Sequence, residues 1–312
     1  MTGLRREWVR RLPKAELHVH LEGTLDAQAL RRLGGDAAAA DPRFRGGGFA
    51  AFLEHYRRAL DSLRRPEDYG MLAASYLDRA PHHGIRHVEF SVSLLSAMRR
   101  GHEVRRLLES VQQAASASPV GASLVTDTIR QFGPEEALRA LEAVLPHRDL
   151  PVLRGFGMGG DERSVPAARF RKVFDRARQH GLRTTVHAGE VGGPEAVRDV
   201  LDHLRPDRIG HGIAAAADPE LMARLVEEGI PLDVCPTSNR ITGVVPGEAQ
   251  HPLGTLVAAG VRVTIGTDDP GLFGTDLTSE YLAAAGMAHL DAAGLEHIAA
   301  ESLSGCPSPT GG

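Results

Sequence analysis

Short apolar runs alternate with stretches of helical period along most of the chain. Runs of strand length fall at Ala15–His20, His87–Ser93, Ala122–Thr126, Gly155–Met158, Thr184–Ala188, Arg208–His211, Leu232–Val234 and Val261–Gly266. Between them lie amphipathic stretches. Phe170, Val173, Phe174 and Ala177 recur at i, i+3, i+4, i+7, as do Val197, Val200, Leu201 and Leu204 after Pro194. Leu221, Met222, Leu225 and Val226 follow Asp218-Pro219, a cap with proline at the first helical position, and Gly229 stops that helix. Eight strand–helix units make an α/β chain with a parallel sheet. The expected fold is a (β/α)8 barrel of TIM type; a doubly wound open sheet is the alternative.

Two regions break the rhythm. Gly34 to Gly48, with its alanine run and Gly46-Gly47-Gly48, predicts a loop. Phe49 to Ala80 predicts two helices inserted after the first strand. Phe49, Phe52, Leu53 and Tyr56 share one face there, which either packs onto the barrel or forms a lid over its mouth; packing is the simpler expectation. The expected organisation is one barrel domain over residues 1–303, with residues 34–80 as loop and lid, and an irregular tail over 304–312.

Composition narrows the function classes. The chain has 312 residues, 42% of them hydrophobic and 24% charged, which is ordinary for a globular protein. A net charge of -4 and a pI near 6.4 argue against nucleic acid or an anionic membrane as partner. No apolar run reaches the ~18 residues of a membrane span. Met1 to Arg11 lacks the apolar core of a signal peptide, and Cys235 and Cys306 make no disulfide framework, so a cytoplasmic location is expected.

In a parallel barrel the active site lies at the C-terminal ends of the strands. His18 and His20 stand one residue apart, so in a strand they point to the same face, with Val19 and Leu21 on the other. The fifth candidate strand runs into His187-Ala188-Gly189-Glu190, the sixth into His211-Gly212, and the eighth into Thr267-Asp268-Asp269-Pro270. Three imidazoles and a carboxylate are thus available to one metal ion, with Glu190, His211 and Asp269 around them. Each has a bland explanation: a satisfied core histidine, a carboxylate capping the next helix, a turn signal. Their coincidence with four separate strand ends is what favours chemistry.

The chain resembles the adenosine/adenine deaminase family of the amidohydrolase superfamily. Six motifs in order carry the resemblance: Pro13–Gly23, Met158–Glu162, His187–Glu190, Arg208–Gly212, Val234–Asn239 and Thr267–Pro270, over residues from about 10 to 303. It implies a (β/α)8 barrel and one Zn²⁺ per subunit on His18, His20, His187 and Asp268, leaving a coordination position for water. It further implies attack of that water on C6 of a 6-aminopurine, with His211 orienting the water and accepting or sharing its proton. Glu190 would protonate ring N1. Asp269 would bond N7 and help deprotonate the water. The Gly160 backbone N–H would face N3, where a glycine allows close approach. Glu22 and His20 complete the expected substrate wall. The implied partner is a small purine substrate.

The resemblance also shades the substrate. Glu22 stands where classical adenosine deaminases carry an aspartate that meets the ribose 5′-hydroxyl. Asp269–Leu277 resembles the bacterial adenine and aminodeoxyfutalosine deaminases. The expected substrate is adenosine or a 5′-modified adenosine such as aminodeoxyfutalosine, with adenine second. A catalytically silent purine-nucleoside-binding protein is the non-enzymatic alternative. A two-metal hydrolase of esters or lactams needs a carboxylated lysine at a middle strand end. Lys14 and Lys172 are the only lysines and neither lies there. A cytidine-deaminase zinc site needs PCxxC, whereas Cys235 precedes Pro236.

Overall fold

The computed structural model describes residues 5–34, 42–247 and 249–307. Eight parallel strands follow one another in chain order: β1 Lys14–His20, β2 Ile85–Val92, β3 Gly121–Ile129, β4 Leu153–Gly159, β5 Arg183–Ala188, β6 Arg208–His211, β7 Leu232–Val234 and β8 Val263–Ile265. All eight expected strands are found, with ends shifted by a few residues. The sheet closes into a barrel, which excludes the open-sheet alternative. Beyond β8, Val19 pairs with Asp268. The His20 N–H donates to the Asp268 carbonyl at 2.7 Å, and the Asp268 N–H to the His18 carbonyl at 3.1 Å. Barrel closure therefore falls on three of the four expected metal ligands.

The helices form where apolar period and caps agree. Asp218 accepts the Leu221 N–H at 3.1 Å, Pro219 begins the helix Pro219–Glu228, and Gly229 ends it at φ 66°. The helix Arg171–Gln179 buries Val173, Phe174 and Ala177, and Pro194–His203 buries Val197, Val200 and Leu201. Phe174 meets Phe156 of β4 edge to face at 5.7 Å. Each such side chain contributes roughly 1.5–3 kcal/mol by leaving water.

Below the strand ends the barrel interior is ionic. Arg208 is buried between Glu89 and Asp233, its Nε 2.9 Å from Asp233 Oδ2 and an Nη on Glu89, with a further bond at 3.1 Å to the Leu17 carbonyl. Thr264 donates to Asp233 at 2.6 Å. Beside this floor, Glu16 accepts from the Tyr76 hydroxyl at 2.5 Å and from the Thr267 N–H and hydroxyl at 3.2 and 2.5 Å. That bond ties β1 to the residue before Asp268.

The inserted helices are Phe49–Leu60 and Pro66–Arg79. Residues 42–48 lead in without regular structure, as expected; residues 35–41 of the expected loop lie outside the described residues. The tail needs correction. Ser304 belongs to the closing helix Ala292–Ser304, because Ser302 takes the Ala15 N–H at 2.9 Å and Arg183 reaches the Gly305 carbonyl at 2.7 Å. The closing helix thus seals β1, and only residues 308–312 of the expected tail lie outside the described residues.

Candidate active site

The four expected ligands converge. His18 Nε2 and His20 Nε2 lie 3.4 and 3.2 Å from Asp268 Oδ1, and the Nε2 atoms of His20 and His187 are 3.2 Å apart. One ligand atom from each of the four residues falls in a group within 4.8 Å of one another. Val19 and Leu21 point away into the core, as strand alternation requires. Asp268 has φ 64° and His211 φ 59°, left-handed conformations that cost on the order of 1–3 kcal/mol each and occur where structure over-determines a site. For Asp268 the two backbone bonds to β1 do that.

The set fits a catalytic zinc: three imidazole nitrogens and one carboxylate leave a position free for water. One ring is held from behind by a hydrogen bond, and the other two face carboxylates at longer range. His187 Nδ1 faces the Met158 carbonyl at 3.3 Å, His18 Nδ1 lies 4.0 Å from Asp233, and His20 Nδ1 lies 3.9 Å from Asp127. His18 Nε2 is buried with no hydrogen-bond partner in the protein. The field also suits a cation. Burial works against charge on His20, yet Asp268, Asp269 and Asp127 outweigh it and raise its pKa to about 10. Burial would raise Asp268 too, but His18, His20 and His211 hold it well below the usual range, as an anion. His211, Cys235 and Asp268 form a second close set. Burial, then Asp268 and Glu280, push the Cys235 thiol up, so it stays protonated and is a poor ligand.

Around the ligands stand the expected acid–base groups. His211 Nε2 lies 3.7 Å from Glu190 Oε2 and 3.8 Å from Asp268 Oδ2. Burial pushes the Glu190 carboxyl well up, reinforced by Asp268, Glu162 and Asp269. Asp269 is pushed well up by burial and then by Asp268. Neighbouring carboxyl groups are thus pushed in opposite directions, Asp268 down and Glu190 and Asp269 up, the pattern that separates acid and base roles. Burial lowers His211 to about 3, so its ring is neutral.

Glu190 does not cap the following helix, which begins after Gly193. Its backbone is fixed by Glu162, which accepts the N–H groups of Gly189, Glu190 and Val191 at 2.5, 2.8 and 3.0 Å. Gly23 is required beside Asp269: a Cβ there would stand 1.9 Å from Asp269 Oδ1. Gly160 adopts φ 99°, and a Cβ on it would press on Gln131 Oε1 at 2.3 Å. Glycine is thus demanded by backbone conformation and by Gln131 before any ligand approaches.

A cavity of about 540 Å³ opens above these groups, lined among others by His20, Asp127, Gly160, His187, Glu190 and Asp269. The face Phe49, Phe52, Leu53, Tyr56 lines its other wall. Phe52 anchors that wall in a small apolar cluster with Phe44, Leu272 and Phe273. Glu22 lies just behind the wall. It accepts the Ser93 N–H at 2.9 Å on Oε1, while Oε2 is buried and unpartnered, and burial raises its pKa.

Sequence reasoning gave no role to Glu162, Asn239, Asp127, Asp233 or His251. Glu162 and Asn239 stood inside quoted motifs. Asp127 and His251 carried no local signal, because what matters about them is what the barrel brings opposite.

A parallel barrel whose strand ends gather three imidazoles and a carboxylate beneath a capped cavity is a metal-dependent hydrolase of the amidohydrolase type. Residues 13–310 match the sequence profile of the Adenosine deaminase family, and the chain belongs to that family. It is 41% identical over 296 residues to an adenine deaminase of Chelativorans sp. (strain BNC1), covering 90% of this chain and 89% of the relative. It is 38% identical over 306 residues to an aminodeoxyfutalosine deaminase of Streptomyces avermitilis, covering 94% and 86%. The crystal structure of an amidohydrolase from Burkholderia ambifaria with bound Zn superposes with a TM-score of 0.87 at 28% identity, covering 98% of this chain and 88% of that one. The chain is accordingly an aminohydrolase, and no described helix is long and apolar enough to cross a membrane.

Proposed function

We propose that the chain hydrolyses the 6-amino group of a purine nucleoside, adenosine or a 5′-modified adenosine such as aminodeoxyfutalosine, to the 6-oxo product and ammonia. The observation that carries this reading is the convergence of His18, His20, His187 and Asp268 with two buried carboxyl groups of raised pKa, Glu190 and Asp269, under one cavity. His18, His20, His187 and Asp268 would hold a zinc ion, which would lower the pKa of a bound water toward ~7 and so supply the nucleophile.

The protein's groups do the rest. Ring N1 and N7 of a 6-aminopurine are both hydrogen-bond acceptors, so the partners they need are donors. Glu190, kept protonated by burial and its carboxylate neighbours, donates to N1 and keeps negative charge off the ring as C6 is attacked. Asp269 takes the proton of the attacking water and, protonated, presents it to N7. His211 stands across from Glu190 and Asp268 and orients the attacking oxygen. The Gly160 N–H serves N3. The Phe49–Tyr56 wall gives one side of the cavity an apolar lining.

The nucleoside is preferred over the free base because a cavity of about 540 Å³ lies in the range of sites that hold drug-sized ligands, well beyond one base. Ser93, Ser96 and Gln131 give its outer part polar groups suited to a sugar. Adenine is the second reading, favoured by the name of the Chelativorans relative. Steady-state ammonia release from adenosine, 2′-deoxyadenosine, adenine and aminodeoxyfutalosine separates the two. A higher kcat/KM for a nucleoside supports the first reading and a higher value for adenine supports the second. Purine binding without ammonia from any of the four would leave only a silent binding protein.

A further inference from the structure

His211 is not the end of its own hydrogen-bond chain. Its Nδ1 lies 3.2 Å from Asn239 Nδ2, and Asn239 Oδ1 lies 3.3 Å from His251 Nε2. His251 Nδ1 in turn faces the backbone N–H of Leu253 at 3.1 Å. All three side chains are buried.

This chain of donors and acceptors has one solution, and it is set at the far end. A backbone N–H only donates, so His251 Nδ1 must accept and carry no proton. The single ring proton of neutral His251 then sits on Nε2, which donates to Asn239. The Asn239 atom facing His251 must accept, so it is the oxygen, and the amide nitrogen is left to donate to His211. His211 Nδ1 therefore accepts, and the proton of its neutral ring sits on Nε2, the atom that faces Glu190, Asp268 and the cavity. That nitrogen is buried with no partner in the protein. The backbone of Asn239 is anchored as well. The residue sits in the short helix Pro236–Ile241, with its N–H on the Cys235 carbonyl at 3.0 Å and its own carbonyl holding the Val245 N–H at 2.9 Å.

We propose that Asn239 and His251 are positioning residues that lock His211 as the Nε2–H tautomer, so that His211 meets the reacting water as a hydrogen-bond donor and not as its base. This refines the expectation that His211 accepts or shares the water's proton. A donor at this place holds one lone pair of the oxygen, aims the other at C6, and gains strength as negative charge develops on that oxygen. The base duty is left to Asp269. The kinetic part of the inference rests on the proposed deamination; the tautomer itself does not.

The test uses the zinc-loaded full chain with ¹⁵N-labelled histidine rings. Long-range ¹H–¹⁵N correlation reads the protonation of each ring nitrogen, and the His211 signals are those lost in His211→Gln. The expected result is a protonated Nε2 and an unprotonated Nδ1 in the unsubstituted protein. The opposite pattern, or two protonated nitrogens, would overturn the proposal even in a fully active enzyme. Asn239→Asp offers only acceptors, so it should move a proton onto His211 Nδ1. It should also lower kcat by on the order of 10²-fold or more, with KM changed little and zinc content unchanged. His251→Gln, whose amide replaces the ring donor, should keep the tautomer and most of kcat, and His251→Leu should lose both. Equal effects of Gln and Leu would mark His251 as packing alone. Failure of every purine to yield ammonia, with the predicted ring pattern intact, would strike the deamination reading and spare the tautomer.

Discussion

Glu190 carries the sharpest prediction at the scale of single residues. Its carboxyl is raised by burial and by three neighbouring carboxylates, and the protonated form is the one that serves N1. Turnover should therefore hold below that raised pKa and fall as pH rises through it. Glu190→Gln should keep zinc, lose on the order of 10²–10⁴ in kcat and lose this alkaline limb; an unchanged rate would reassign the acid. Asp268→Ala should instead lose the metal, read by elemental analysis. Gly23→Ala should cut kcat while zinc stays, because its Cβ would occupy the place of Asp269 Oδ1; full activity would show that Asp269 can move without cost. The ligands were legible in the sequence because strand alternation and strand ends locate them. Glu162 and His251 were not, since their roles arise from loops the barrel brings opposite one another. Nor was the tautomer of His211, which depends on a backbone N–H at Leu253.

Among the elements, barrel closure and the inserted helices matter most. The eight strands were legible because each is a short apolar run between helical periods. Their closure was expected from eight units and from the family resemblance, but not the bridge that makes it, from Val19 to Asp268, a pairing of residues far apart in sequence. The face Phe49, Phe52, Leu53, Tyr56 was legible as a face, but its target was not: an amphipathic helix looks the same over a barrel wall as over a barrel mouth. Phe52 holds this element to Phe44, Leu272 and Phe273. Phe52→Ala should loosen the segment Phe49–Leu60, giving faster amide hydrogen exchange there and a raised KM, with kcat less affected. Unchanged protection and KM would show that the wall is held by other contacts.

The whole molecule stacks an ionic floor, a ligand layer and a capped cavity along one barrel axis. The floor is Arg208 with Glu89 and Asp233, and Asp233 in turn stands behind His18. Removing one partner of a buried ion pair leaves uncompensated charge, at a cost of about 3–5 kcal/mol. Arg208→Met should lower the urea midpoint accordingly, and an unchanged midpoint would show the floor to be dispensable for stability. Above it, the proposed site holds a single ion. The four converging ligands form one set, Cys235 is held as a thiol, and neither lysine reaches the strand ends. The most direct test of the account is to strip the chain of metal and titrate zinc back while ammonia release from adenosine is recorded. Activity should rise from near zero and level off at one zinc per chain; activity indifferent to zinc, or a plateau only at two, would contradict a single-zinc aminohydrolase.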